Sequence, residues 1–115
     1  MYYVTDVDLL AFVEEHRIAF IEFYTDKSAE SRAQRIIDEE ILKEFQEKYG
    51  EDVTIGRMEL ELNVETVEQY NIDAVPSFMI FRNGKQIEDK SGTDRIIGLL
   101  SQDGFREIVK GLEQE

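Results

Sequence analysis

Two hydroxyls three residues apart, in Ser28-Ala29-Glu30-Ser31, stand between a buried-strand pattern and a long amphipathic helix pattern. At a helix start a serine oxygen can accept from a backbone N–H without an intrahelical partner, so capping is the plain role for Ser28 or Ser31. Acting as a nucleophile would require a base within hydrogen-bond reach. The chain has one histidine, His16, which closes the helix pattern before the strand. The other chemically conspicuous residue is Glu22, in the middle of Ile18-Ala19-Phe20-Ile21-Glu22-Phe23-Tyr24. An ionised carboxylate in an apolar strand is costly unless something pairs with it. Elsewhere Asp6-x-Asp8, Glu39-Glu40 and Glu59-x-Glu61 complete no metal-loop pattern and read as solvated charge. Glycine-rich phosphate motifs are absent. No metal and no cofactor is expected.

The elements that must position these residues follow from periodicity and stop signals. Tyr2-Tyr3-Val4 suits a short edge strand. Thr5 or Asp6 then caps a helix through about His16, with Leu9, Leu10, Phe12 and Val13 as its buried stripe. Ile18 to Tyr24 is a central strand, aromatic and β-branched. The next helix carries Ile36, Ile37, Ile41, Leu42 and Phe45 and stops at Tyr49-Gly50. Val53 to Glu59 reads as a strand, and Asn63 caps a short helix through Tyr70. Ser77 to Arg82 and Lys85 to Glu88 form a hairpin about Asn83-Gly84. A last helix, about Asp103 to Leu112, buries Phe105, Ile108, Val109 and Leu112. This order, β-α-β-α-β-α-β-β-α, predicts an α/β fold: a mixed sheet with helices on both faces.

Bulk properties narrow the function. With 115 residues the chain has room for one domain around one core, spanning residues 1–115. A net charge of −13 repels nucleic acid and anionic membranes, so neither is an expected partner. The apolar runs Ile18 to Ile21 and Phe78 to Phe81 fall far short of the roughly 20 residues that cross a bilayer. Met1 to Asp6 lacks the basic start and apolar run of a signal peptide, which makes the cytoplasm the expected location. The chain contains no cysteine. That excludes disulfide scaffolds, thiolate metal sites and thiol redox chemistry in the chain as it stands.

Ile18 to Tyr24, the Ser28-Ala29-Glu30-Ser31 helix start and Ala74-Val75-Pro76-Ser77-Phe78-Met79-Ile80-Phe81-Arg82-Asn83-Gly84 together resemble the thioredoxin superfamily. Its signature is a strand, then Cys-x-x-Cys at a helix start, then a cis-proline facing it. The Glu-Phe-Tyr stretch is closer to a protein disulfide isomerase domain than to a bacterial thioredoxin. The resemblance covers nearly the whole chain and implies a thioredoxin fold. It puts Ser28 and Ser31 at the redox-cysteine positions, and His16 at the opposite pole of the sheet. A serine hydrolase is therefore not expected. Glu22 takes the place of the buried proton acceptor beneath the second cysteine, and Arg57, in the adjacent strand, that of its basic partner. A guanidinium cannot lose its proton, so Arg57 is expected to hold Glu22 ionised. Strand alternation puts Phe20, Glu22 and Tyr24 on one covered face.

The same resemblance implies that Val75-Pro76 is cis and that Gly92 is the glycine of a third substrate-facing loop. Tyr24, Lys27, Val75, Pro76 and Gly92 would then surround Ser28 as a protein-binding surface. Two functions stay open. One is a thiol–disulfide oxidoreductase whose cysteines are replaced by serine. The other is a redox-inactive binding module, an adaptor or chaperone. The chain departs from the family at Thr25-Asp26 and in three further places. Lys27 replaces the usual tryptophan, and Ile36 a mid-helix proline, which predicts a straighter helix. The segment Thr93 to Gln102 is longer than in a minimal thioredoxin. There Asp94 could cap a short helix, and Ile96, Ile97, Leu99 and Leu100 either extend the core or form an apolar contact patch.

Overall fold

The computed structural model describes residues 1–88 and 92–114. Its strands are β1 (Tyr2–Tyr3), β2 (Ile18–Tyr24), β3 (Val53–Glu59), β4 (Ser77–Arg82), β5 (Lys85–Gln86) and β6 (Ile96–Ile97). Its helices are α1 (Leu9–Glu15), α2 (Ala29–Tyr49), α3 (Val64–Gln69) and α4 (Gln102–Glu113). The sheet order is β1-β3-β2-β4-β5, with β6 also pairing with β4. β1, β3 and β2 run parallel, and β4 runs antiparallel to β2. The most apolar strand, β2, is buried along its whole length in the middle of this mixed sheet. On one face α2 and α4 close a core of Phe20, Phe45, Phe78 and Phe105 with aliphatic neighbours. On the other, α1 and α3 cover Ala19, Ile21, Phe23, Met58 and Met79.

Several expectations are corrected. α1 begins at Leu9, not at Thr5 or Asp6, and Leu10 is 66% exposed rather than part of the buried stripe. Asp6 is used elsewhere. Its carboxylate accepts from the N–H groups of Glu65 (3.2 Å) and Thr66 (3.0 Å), capping α3 from outside that helix. Asn63, expected to cap α3, makes no side-chain cap bond there; its Oδ1 accepts from Asp6 N–H at 2.9 Å. The two residues exchange partners and tie the chain after β1 to the start of α3.

Ile36 is 63% exposed. The buried residues of α2 are Ser31, Gln34, Asp38, Ile41, Leu42 and Phe45, a stripe at alternating spacings of three and four that runs from polar to apolar. The segment after Gly92 forms β6 instead of a helix. Ile96 and Ile97 pair with Phe78 and Ser77, as suits β-branched residues. Gly98 then turns the chain with a φ of +96°, open to glycine without steric cost. Asp94 caps no helix among the described residues: its carboxylate bonds Arg95, whose guanidinium donates to the carbonyls of Tyr70 and Asn71. Of the four apolar residues, Leu100 is buried and Ile96 half-buried, while Ile97 and Leu99 are exposed. The cluster thus divides between core and surface.

Candidate functional site

The site gathers at the end of the sheet where β2 finishes and β4 begins. Phe23 is in register with Ser77, which brings the start of β4, and Pro76 before it, beside the last residues of β2. Four residues beyond Tyr24, Ser28 is the N-cap of α2 in extended conformation, and its Oγ accepts from Ser31 N–H at 3.2 Å. The same hydroxyl donates to Glu30 at 3.2 Å. Ser31 is buried, and its Oγ accepts from Thr25 N–H at 3.4 Å. Both serine oxygens therefore organise the turn from β2 into α2. Lys27 is exposed and pairs with Glu61 at 2.7 Å.

The Val75–Pro76 peptide is cis; Pro76 is buried and Val75 half-buried. The Pro76 carbonyl accepts from the N–H of Gly98 at 2.8 Å. The glycine tied to this proline is thus Gly98, six residues beyond the expected Gly92. β6 carries it there, because Ile97 pairs with Ser77. The short helix expected after Asp94 left no place for this pairing, although two β-branched residues before a glycine, Ile96-Ile97-Gly98, carry the strand signal.

Beneath Ser31 lies a buried charge cluster. Glu22 and Arg57 face each other in register across β2 and β3, both essentially inaccessible, at 0% and 2% exposure. The Glu22 Oε2 accepts from Arg57 Nη2 at 3.1 Å and from Nε at 3.3 Å. Arg57 Nη2 also donates to the Ser31 carbonyl at 3.4 Å, and the guanidinium carbon lies 4.0 Å from the centre of the Tyr24 ring. A further member was not expected. Asp38, fully buried on α2, brings its Oδ2 within 3.7 Å of Arg57 Nε. Gln34 donates to Asp38 at 3.0 Å and clasps the backbone of Leu100, donating to its carbonyl at 2.9 Å and accepting from its N–H at 2.7 Å.

Two carboxyls on one guanidinium leave an unbalanced charge, which is costly without solvent. Glu22 Oε1 and Asp38 Oδ2 are both buried without another hydrogen-bond partner, and the two carboxyls are close enough to bond each other. A single proton between them satisfies both oxygens and neutralises the cluster. Accordingly, burial, together with the Asp38 carboxyl, pushes Glu22 up to about 10 against the pull of Arg57. Burial raises Asp38 as well. The expectation that Arg57 holds Glu22 ionised is therefore overturned, because it omitted the second carboxyl. His16 precedes β2 while Ser28 follows it, so the strand's length of about 20 Å separates them; the imidazole Nδ1 bonds the Glu51 carbonyl at 2.6 Å.

A central mixed sheet in this order, covered by two helices on each face and with a cis-proline beside the start of the longest helix, defines a thioredoxin fold. The family model described as Thioredoxin matches residues 3–102. The chain belongs to the thioredoxin family. It is 29% identical over 98 residues to a thioredoxin of Rickettsia typhi, covering 84% of this chain and 90% of that protein. To a thioredoxin of Alicyclobacillus acidocaldarius it is 29% identical over 52 residues, 45% of this chain and half the length of that relative. Among solved structures it is similar to the zinc-bound form of human ERp44, with a TM-score of 0.83 at 18% identity, over 96% of this chain and 31% of that one. It is also similar to a mutant thioredoxin from Halobacterium salinarum, with a TM-score of 0.75 at 17% identity, over 96% of this chain and 88% of that one. Among the described residues no helix is long and apolar enough to cross a membrane.

Proposed function

We propose that this chain is a redox-inactive thioredoxin-family domain that binds extended protein segments at the sheet end bearing Ser28, Val75, Pro76 and Gly98. The observation that carries the reading is the exposed apolar pair around Gly98. Ile97 is 63% and Leu99 53% exposed, on either side of the glycine whose N–H is tied to Pro76. Exposed apolar side chains gathered at such an edge favour a protein partner. Lys27 adds an exposed charge to this surface, whereas Tyr24, expected there, is buried at 8% exposure with its ring against Arg57; Gly92 stands further back along the chain. The similarity to bacterial thioredoxins favours a cytoplasmic setting. Without a thiolate there is no exchange with disulfides, so insulin reduction by dithiothreitol should run no faster with the protein than without it. Reduced, alkylated insulin B chain should bind, and Ile97→Ser with Leu99→Ser should weaken it at least fivefold while the melting temperature stays within a few degrees. Unchanged binding in that variant sinks the reading.

A second reading is supported by the position of Ser28. Its oxygen already accepts a helix-start N–H, an environment that lowers the pKa of a thiol. On this reading Ser28 and Ser31 stand for the redox pair of an oxidoreductase. Ser28→Cys with Ser31→Cys should then oxidise reversibly, with the thiol at 28 titrating below the ordinary value of about 8.5. A pair that neither oxidises nor titrates low leaves the binding module alone.

A further inference from the structure

At the other end of the sheet from Ser28, an open pocket of about 560 Å³ lies between β1, α1 and the turn before β3. Phe12 forms its floor. The ring can sit against the sheet because residue 56 is glycine; a Cβ there would come within 2.7 Å of both the Phe12 ring and Val4. Tyr2 packs edge-on to Phe12 at 5.3 Å, and His16 lies 4.7 Å from Phe12 and 5.7 Å from Tyr2. Three aromatic rings are thus held in mutual contact around one opening.

The polar groups of this pocket are acceptors. Because His16 Nδ1 faces a carbonyl oxygen at 2.6 Å, it carries a ring proton, and in the neutral tautomer Nε2 is left as an acceptor. The Tyr2 hydroxyl spends its proton on Glu51 at 2.7 Å. Asp8, Glu15 and Glu51 add carboxylates, and no lysine or arginine lines the pocket among the described residues. The field is felt locally: the bond to Glu51, partial burial and the charges of Glu51 and Glu15 all push the Tyr2 hydroxyl up.

Such a pocket wants a cation that donates hydrogen bonds and meets aromatic faces. A metal ion does not fit, since among the described residues no three His, Asp or Glu side chains are close enough to hold one. β1 is the last strand on its side of the sheet, so an extended segment has a strand edge beside the pocket to lie along. We propose that the Tyr2–Phe12–His16 pocket, rimmed by Asp8, Glu15 and Glu51, docks a lysine side chain of a basic partner segment. It is a second protein-binding site, set at the β1 edge and at the end of β2 opposite Ser28.

The test uses an extended heptapeptide with a central lysine pair, followed by NMR on the whole chain. An otherwise identical peptide with both lysines acetylated is the control. The charged peptide should shift the ring signals of His16 and Tyr2, and the acetylated one should not. Glu15→Gln with Glu51→Gln should weaken binding at least fivefold, because both amides keep an acceptor but not the charge. Glu47→Gln with Glu68→Gln, at exposed acidic positions elsewhere, should leave it unchanged, with circular dichroism confirming the fold of both variants. Equal binding of the acetylated peptide, equal losses in the two variants, or shifts gathered around Ser28 instead would each overturn the proposal.

Discussion

Toward the C-terminal half of α2, Phe45 meets Phe20 and Phe105 at ring distances of 6.3 Å each, and Phe105 meets Phe20 at 4.9 Å and Phe78 at 5.6 Å. Toward its N-terminal half, the same face of the helix meets Glu22, Arg57 and the backbone of Leu100 through Ser31, Gln34 and Asp38. The two halves share one helix, one sheet and one depth of burial. They differ in what burial does. At the phenyl end every buried atom gains from leaving water. At the charged end each polar atom needs a specific partner, and the cluster is neutral only with a proton inside it. The apolar half gives stability independent of pH, and the polar half a defined geometry whose cost depends on pH.

The largest expected effect breaks the apolar half. Phe105→Ala removes a ring that touches three others and should cost about 3–5 kcal/mol, with nearly the same loss at pH 5 and pH 8 in chemical denaturation. A loss that varied strongly with pH would mean that the phenyl cluster and the charge cluster are not separable.

Arg57→Met breaks the other half and should cost about 3 kcal/mol, since it leaves a buried carboxylate without its cation. Here the loss should grow as pH rises, because more carboxylate is then ionised. Glu22→Gln sharpens the point. Burial and the Asp38 carboxyl push Glu22 up to about 10 from 4.5 ordinarily, so the folded pair keeps a proton that the unfolded chain gives up. Its stabilising effect is complete below about pH 4.5 and declines as pH rises toward 10. Glutamine is neutral at every pH and leaves Asp38 to pair with Arg57 alone. Relative to the parent, Glu22→Gln should therefore gain about 1–3 kcal/mol between pH 6 and pH 8. A gap that stays flat over that range would remove the shared proton from the account.

The charged half was only partly legible in the sequence. Glu22 stood out because a carboxylate in an apolar strand has few explanations, and Arg57 followed from the resemblance to a family. Asp38 and Gln34 did not stand out, because α2 is rich in charge and its polar residues look solvated. Yet counting back from Phe45 by four and three leads to Ile41, Asp38, Gln34 and Ser31, all buried. Weight given to Ile36 and Ile37 hid that stripe. β2, β4 and the Asn83-Gly84 turn were legible because each rests on a local preference. Asn83 and Gly84 take positive φ values of 52° and 82°, as such a hairpin turn demands. The placement of Gly98 depends on pairing across the sheet, and the capping of α3 by Asp6 on a partner about sixty positions away. Local patterns carry neither.

Asp6 supplies the smallest expected effect and the opposite sign. It is half-exposed. Desolvation works against its ionisation, but hydrogen bonds from Thr66 and Glu65 outweigh that and hold the carboxyl below its ordinary 3.8. An ionised Asp6 therefore stabilises the fold above that ordinary value, and the effect disappears as pH falls through the lower folded value. Glu22 behaves the other way, since its buried carboxyl stabilises only while protonated. Asp6→Ala should cost about 1 kcal/mol near neutral pH, as for the loss of a helix cap, and the gap from the parent should close toward pH 2. Amide exchange should quicken first at Glu65 and Thr66, the two N–H groups left without an acceptor. Asp6→Asn, which keeps an acceptor oxygen, should recover part of the loss. If the Asp6→Ala gap stays constant down to pH 2, the residue acts through packing, and ionisation separates only the buried half of the comparison.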